Sequence, residues 1–390
     1  MPDRPGIFDR LGAPKSIAIL RALQLGDMLC AVPALRALRR ACPDARITLI
    51  GLPWARDFTT RFHRYLDDFI EFPGYPGLPE RSCESTAISA FLSQTQARRF
   101  DLLLQMHGDG RITNRLVQLM GASRSAGYYL PGEYCPDDER FLPWQAREHE
   151  VLRWLRLLET LGAPAKDADL EFPLLPEDTA HFEAIAERHS LHAIPYVCLH
   201  AGSQLPSRRW PAERFARVGE RMCALGYRVV LTGTAAEHQL TTEVARAMRT
   251  PSLNLAGSTT LGALAELIRH AAGLVCNDTG VSHIAAAVHT CSVVVSCGSD
   301  PARWAPLDTE LHRVVFAPVS CRPCSYRDCP FDHRCAHAVS DFEVTGAIER
   351  LLRQRLDRAH HRRRTSDQIA RATAADRLHA PAGREQRRFA

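Results

Sequence analysis

Runs of five to seven mostly apolar residues recur along the chain, and most are followed by a stretch with helical spacing. SIAIL (16–20), RITLI (46–50) and DLLLQ (101–105) read as strands in the first half. YVCLH (196–200), YRVVLTG (227–233), GLVCND (273–278) and SVVVSCG (292–298) do so in the second. Helical patterns fill 27–41, 153–162, 211–226, 261–271 and 281–289, with Pro211 opening one helix and Gly162 and Gly226 each closing one. Apolar strands that alternate with helices build parallel sheets covered on both faces. The segment 163–178 is rich in proline and lacks helical periodicity, so it reads as a linker. The expectation is an α/β protein of two Rossmann-like parallel-sheet domains, 1–175 and 176–355, facing across a cleft.

Other classes are argued against. No stretch approaches the roughly 18 apolar residues of a membrane-spanning helix. The opening MPDRPGIFDRLGAPK holds acids and prolines and no apolar core, which argues for a cytoplasmic protein rather than a secreted one. The net charge of +5 is uneven: residues 353–390 carry eleven arginines against four acids. The folded part is therefore close to neutral, and no nucleic-acid partner is expected. The tail 356–390 lacks a core pattern and reads as disordered or a frayed helix. Its Arg362–Arg364 run offers the alternative of a contact with anionic membrane lipids.

Chemistry gathers where strands end. GLVCNDTGVSHIAAAVHT (273–290) places Asp278, Thr279 and Gly280 between a strand and a helix, with His283 about one turn further. Ligands of parallel α/β sheets sit at such junctions, where unsatisfied N–H groups of the helix start suit a phosphate. The plainer alternative makes Asp278 a helix cap and His283 a core residue. HAGSQLPSRRWPAERF (200–215) repeats the arrangement, offering Gly202, Ser203, Arg208 and Arg209 to a diphosphate, or forming a solvated basic loop. LTGTAAEH (231–238) brings Glu237 to a third strand end, where an acid binds ribose hydroxyls or merely caps a helix. Three such ends in one domain point to a nucleotide diphosphate site. It is neither a P-loop nor a dinucleotide site, because the glycine frames of both are missing. In the first half, Gly26 and Asp27 occupy the turn after the first strand, where Asp27 faces the cleft as a helix cap or a general base.

These residues carry a resemblance. The ordered set L-G-D-x-L-x-x-x-P-A-L-R-A-L-R (25–39), R-R-W-P (208–211), G-x-x-A-E (233–237), N-D-T-G-x-x-H (277–283) and S-D-P-A-R-W (299–304) resembles glycosyltransferase family 9, the bacterial lipopolysaccharide heptosyltransferases. The match spans about 16–350. It implies a GT-B architecture and inverting transfer with no cofactor and no catalytic metal. It implies Asp27 as the base, with Gly26, Ser203, Arg208, Glu237, Asp278, Thr279, Gly280 and His283 at the substrate site. The implied partners are a nucleotide-diphosphate sugar, ADP-heptose foremost, and a lipid-linked glycan acceptor reached at the inner face of the cytoplasmic membrane. Another nucleotide sugar, or a catalytically silent sugar-nucleotide-binding homologue, are the alternatives. Two departures bear on the donor: Arg208 stands where relatives often have lysine, and GTAAE lacks a second glycine.

Thirteen cysteines include a cluster, CRPCSYRDCPFDHRC (321–335). Cys321, Cys324, Cys329 and Cys335 are consistent with structural zinc, packed thiols, disulfides or an iron–sulfur cluster.

Overall fold

The computed structural model describes residues 14–358, together with Phe8 and Gly12. The expectations for the tail beyond 358 lie outside the described residues. The first half runs β1 (Ser16–Leu20), α1 (Leu25–Ala41), β2 (Arg46–Gly51), α2 (Ala55–Arg61), β3 (Asp68–Glu71), α3 (Ser85–Arg98), β4 (Leu102–Gln105), α4 (Thr113–Leu119), β5 (Ser125–Tyr129), β6 (Phe141–Pro143) and α5 (Glu150–Leu161). The second half runs α6 (Pro176–His189), β7 (Tyr196–His200), α7 (Ala212–Ala224), β8 (Arg228–Leu231), α8 (His238–Ala247), β9 (Ser252–Asn254), α9 (Leu261–His270), β10 (Gly273–Asn277) and α10 (Gly280–Ala287). It continues through β11 (Ser292–Val295), α11 (Pro301–Trp304), β12 (His312–Val315) and α12 (Arg334–His337) to a final helix, 341–358.

Each half contains one six-stranded parallel sheet, ordered β3-β2-β1-β4-β5-β6 and β12-β11-β10-β7-β8-β9. In each, the chain winds outward from its first strand and then crosses back over it. The order therefore reverses between β1 and β4, and between β7 and β10. Crevices at the carboxyl ends of strands open at such reversals. The loops after β1, β7 and β10 carry the site motifs described above. The α/β, GT-B expectation holds. The linker read at 163–178 is without regular structure over 163–175 and ends three residues early, because Pro176 at the first helical position starts α6.

The two halves share a core. α1 is buried continuously from Met28 to Leu38 because it packs on its own sheet, on α5 and on α10 of the other half. One apolar cluster runs from Ile17, Leu29, Val32 and Leu158 of the first half into Leu267, Ile284 and Ala285 of the second. The connecting segment is fixed as well. Arg36 donates to the Asp167 and Asp169 carbonyls, and Arg61 donates to the Pro173 carbonyl at 2.7 Å and pairs with Asp178.

Candidate active site

The cleft where the two reversals meet is lined by Gln24, Gly26, Asp27, Ser203, Gln204, Leu205, Arg208, Asp278, Thr279, Gly280, His283 and Trp304. It holds about 150 Å³. Sites that enclose a whole small-molecule ligand hold about 300–1,000 Å³. The cleft is therefore sized for a reacting centre, with the remainder of a larger substrate on the open surface.

Two helix starts converge here. Neither Gln24, before α1, nor Thr279, before α10, caps its helix with a side-chain hydrogen bond. Apart from the Ser282 amide, which donates to the Thr279 carbonyl at 2.9 Å, their first-turn N–H groups stay open to an anion. The glycines make the approach possible. A β-carbon on Gly280 would stand 3.2 Å from the amide nitrogen of Gly26, and one on Gly26 would stand 3.0 Å from the His283 ring.

Asp27 lies in the first turn of α1, partly accessible from the cleft. Burial raises its carboxyl above the usual range, with Glu150 adding to the rise; Arg21, Arg303 and His107 oppose it. A carboxylate tuned upward holds a proton better and suits a base. His283 is buried with Cys30 Sγ 3.7 Å from Nδ1, and burial pulls it down to about 4. The imidazole is neutral near pH 7 and offers one N–H.

Asp278 does not cap α10. Its carboxylate accepts from Ser299 Oγ, and burial raises it, against Arg208 and Arg322. Asn277 acts as a brace. Its Oδ1 accepts from the Trp210 amide at 3.0 Å, and its Nδ2 donates to the Ala201 carbonyl at 2.7 Å. The asparagine of N-D-T-G and the tryptophan of R-R-W-P thus lock two strand ends together.

The paired arginines separate. Arg209 folds back onto the Ser203 carbonyl, at 3.1 Å from Nε and 2.9 Å from Nη2. Arg208 faces the cleft, its Nη2 donating to the Cys324 carbonyl at 3.0 Å and its buried Nε unpaired. Glu237 is not among the lining residues. It turns back to accept from the Thr234 amide at 2.9 Å and hydroxyl at 3.0 Å, and abuts Gly202. Gln24, Gln204, Leu205 and Trp304 also line the cleft, beyond the residues the motifs pointed to. Trp304 was legible only as the end of S-D-P-A-R-W.

The cysteine loop serves this loop of the site. Ser207 donates its amide to the Arg327 carbonyl at 3.1 Å and its hydroxyl to the Tyr326 carbonyl. Cys324 donates its amide to the Gly298 carbonyl at 2.8 Å. Arg322 ties the loop down through the Ser296, Ser299 and Ala317 carbonyls and the Ser296 hydroxyl. All four cysteines are free thiols, and no metal-holding group of three or more His, Cys, Asp or Glu occurs among the described residues.

Comparison with known proteins gives the same picture. The family described as glycosyltransferase family 9 (heptosyltransferase) matches residues 89–334. Lipopolysaccharide heptosyltransferase 2 of Salmonella typhimurium is 34% identical over 309 residues, 75% of this chain and 85% of that protein. A glycosyl transferase family 9 structure from Veillonella parvula superposes with a TM-score of 0.71 at 21% identity, covering 87% of this chain and 97% of that one. The ADP-heptose lipopolysaccharide heptosyltransferase II of E. coli superposes at 0.67 and 22% identity, covering 87% and 99%. These two likenesses carry the GT-B fold. With the family match over most of its length, the chain belongs to glycosyltransferase family 9, the heptosyltransferases, and is a glycosyltransferase.

Proposed function

We propose that this enzyme moves a heptose, with inversion, from an ADP-activated donor to a lipopolysaccharide core or lipid A-type acceptor. The observation that carries the reading is the placement of Asp27 opposite an uncapped helix start and Arg208 in one cleft. The similar proteins named for lipopolysaccharide and for ADP-heptose supply the substrate class. In this reading residues 176–355 bind the donor and residues 1–175 the acceptor. The work is done at the inner face of the cytoplasmic membrane; no helix among the described residues is long and apolar enough to cross one.

The acceptor hydroxyl loses its proton to Asp27 as its oxygen bonds to the anomeric carbon. The bond from that carbon to the diphosphate breaks on the opposite side, and the electron pair leaves with the diphosphate. The growing negative charge is met by Arg208 and by the N–H groups at the start of α10. Thr279 and Ser203 supply hydroxyls, and the neutral His283 supplies one N–H. Gly26 and Gly280 leave room for the phosphates. Glu237 stands beside Gly202, from where an outward rotation would bring it to a ribose.

Two measurements test this. ADP should raise the melting temperature more than GDP, UDP, CDP or TDP, since a ligand of the folded state stabilises by mass action. A selective shift with another nucleotide would move the enzyme to a different sugar. Asp27→Asn should keep the ADP shift and lose transfer by about 10²-fold or more, as losses of a general base do. Near-normal turnover would remove Asp27 from the role.

A further inference from the structure

Glu150 opens α5 and is 1% exposed. None of the motifs includes it, and it does not line the cleft. Yet it is the meeting point of four groups, two from its own helix and two from distant places in the chain. Its Oε1 lies 3.3 Å from Arg21 Nη2 and accepts from Trp154 Nε1 at 3.0 Å. Its Oε2 lies 2.9 Å from both Nε and Nη2 of Arg303. Arg153 Nε stands 3.6 Å away.

Two of these arginines lead to the site. Arg21 donates from Nε at 3.1 Å and from Nη2 at 2.5 Å to the main-chain carbonyl of Asp27, and from Nη1 to the Met106 carbonyl at 2.6 Å. A planar guanidinium with that many fixed contacts sets the plane of the Asp27 peptide. Arg303 belongs to the other half, on α11, and stacks 4.5 Å from the ring of Trp304. Trp304 lines the cleft. The neighbouring residue repeats the crossing. His149 Nδ1 accepts from the Val151 amide at 3.2 Å, so its proton sits on Nε2, which donates to the Ala305 carbonyl at 2.7 Å. Residues 149 and 150 of one half thus clamp residues 303 and 305 of the other.

We propose that Glu150 and Arg303 are positioning residues: the pair holds the two halves at the spacing where Asp27, fixed through Arg21, faces the leaving group. The inference rests on the reading of Asp27 as the base. An ordinary buried ion pair would serve stability alone. This one connects the backbone of the base to the opposite wall of the cleft, so weakening it should change turnover more than nucleotide binding.

Glu150→Gln leaves the buried guanidiniums of Arg21 and Arg153 uncompensated and can lose the fold. Arg303 is 28% exposed at its side chain and carries the test instead. The titratable and charged groups around Asp27 are Arg21, Glu150, Arg303 and His107, with Arg208, Asp278 and His283 across the cleft. Removing the Arg303 charge should raise the Asp27 carboxyl further and move the acid limb of the kcat profile to higher pH. Arg303→Gln is expected to lower kcat about tenfold or more, from the steep dependence of rate on placement. Its ADP titration should stay within about twofold of wild type, and Arg303→Lys should restore part of kcat and return the limb. Wild-type kcat with an unmoved limb in Arg303→Gln overturns the proposal. So does a loss of ADP binding in proportion to kcat, which a structural pair would give. Asp27→Asn in parallel separates the two readings. An active Asp27→Asn sinks the base, whereas an inactive one beside an unaffected Arg303→Gln sinks only the positioning role.

Discussion

Gly26→Ala probes the contact between the halves with one added carbon. The new atom would stand 3.0 Å from His283 Cδ2 and 3.4 Å from the Gly280 α-carbon. Carbon atoms rest about 3.5–4.0 Å apart, so the seam must give by roughly half an ångström. His283 cannot simply turn aside, because it is buried against Cys30 with Trp304 6.5 Å away, and Gly280 is backbone. Overpacking of this kind costs about 1–3 kcal/mol, against a helix-propensity gain of at most about 1 kcal/mol for alanine. A net loss of about 1–2 kcal/mol is expected. Asp27 is the next residue, and a misplacement of about 1 Å can cost 10²-fold in rate, so half of that predicts about a tenfold fall in kcat. Urea unfolding followed through the buried Trp154 and Trp210 reads the first quantity, and initial transfer rates read the second. Gly346→Ala is the control: in the final helix its β-carbon would meet only the tip of Arg350, at 3.3 Å, and alanine should be neutral or stabilising. An unchanged midpoint and rate for Gly26→Ala would mean that the halves do not pack together here in solution.

Two further expectations follow from groups outside the cleft. Burial pulls His312 down to about 4, as it does His283, so both are neutral when folded at pH 5 and take up protons on unfolding. The stability they contribute is complete above about 6.5, the free imidazole value, and is lost as the pH falls toward 4. His312→Gln should flatten the unfolding free energy against pH near pH 5 by up to about 1.4 kcal/mol per pH unit; an unchanged slope would show that His312 is not held neutral. Arg322→Gln removes the ties of the cysteine loop to Ser296, Ser299 and Ala317 and should destabilise by about 3 kcal/mol, since charged hydrogen bonds contribute about 1.5–3 kcal/mol each. ADP binding should weaken with it, because that loop holds Arg208; unchanged ADP affinity would show that Arg208 needs no such support.

The sequence made the central strands legible because they are buried on both faces and read as unbroken apolar runs. β1, β2, β4, β7, β8, β10 and β11 all fall on such runs. The peripheral elements gave no comparable signal. α3 buries only Phe91 and Thr95 of its fourteen residues, so no apolar stripe marks it. β6 and β12 are three and four residues long with mixed composition. The strand-end motifs pointed to the cleft because a ligand site at a sheet's reversal draws on consecutive residues. Glu150 and Arg303 left no trace, because partners 153 positions apart make no local pattern. Nor could spacing tell that Arg209 turns away while Arg208 stays, or that Glu237 folds onto Thr234; those outcomes depend on which carbonyl or amide lies nearest.

The core that runs unbroken from Leu29 and Leu158 into Ile284 and Ala285 limits how such enzymes can exchange parts. Each half has its own sheet and looks like a unit that could be traded between relatives to combine one donor with another acceptor. The trade would have to carry both sides of the seam. A graft of residues 176–355 from a distant homologue would present foreign side chains to α1 and α5, and would bring whatever that protein has in place of Arg303 and Ala305. New specificities on this scaffold are therefore reached more readily by changing the loops at the strand ends than by shuffling whole halves.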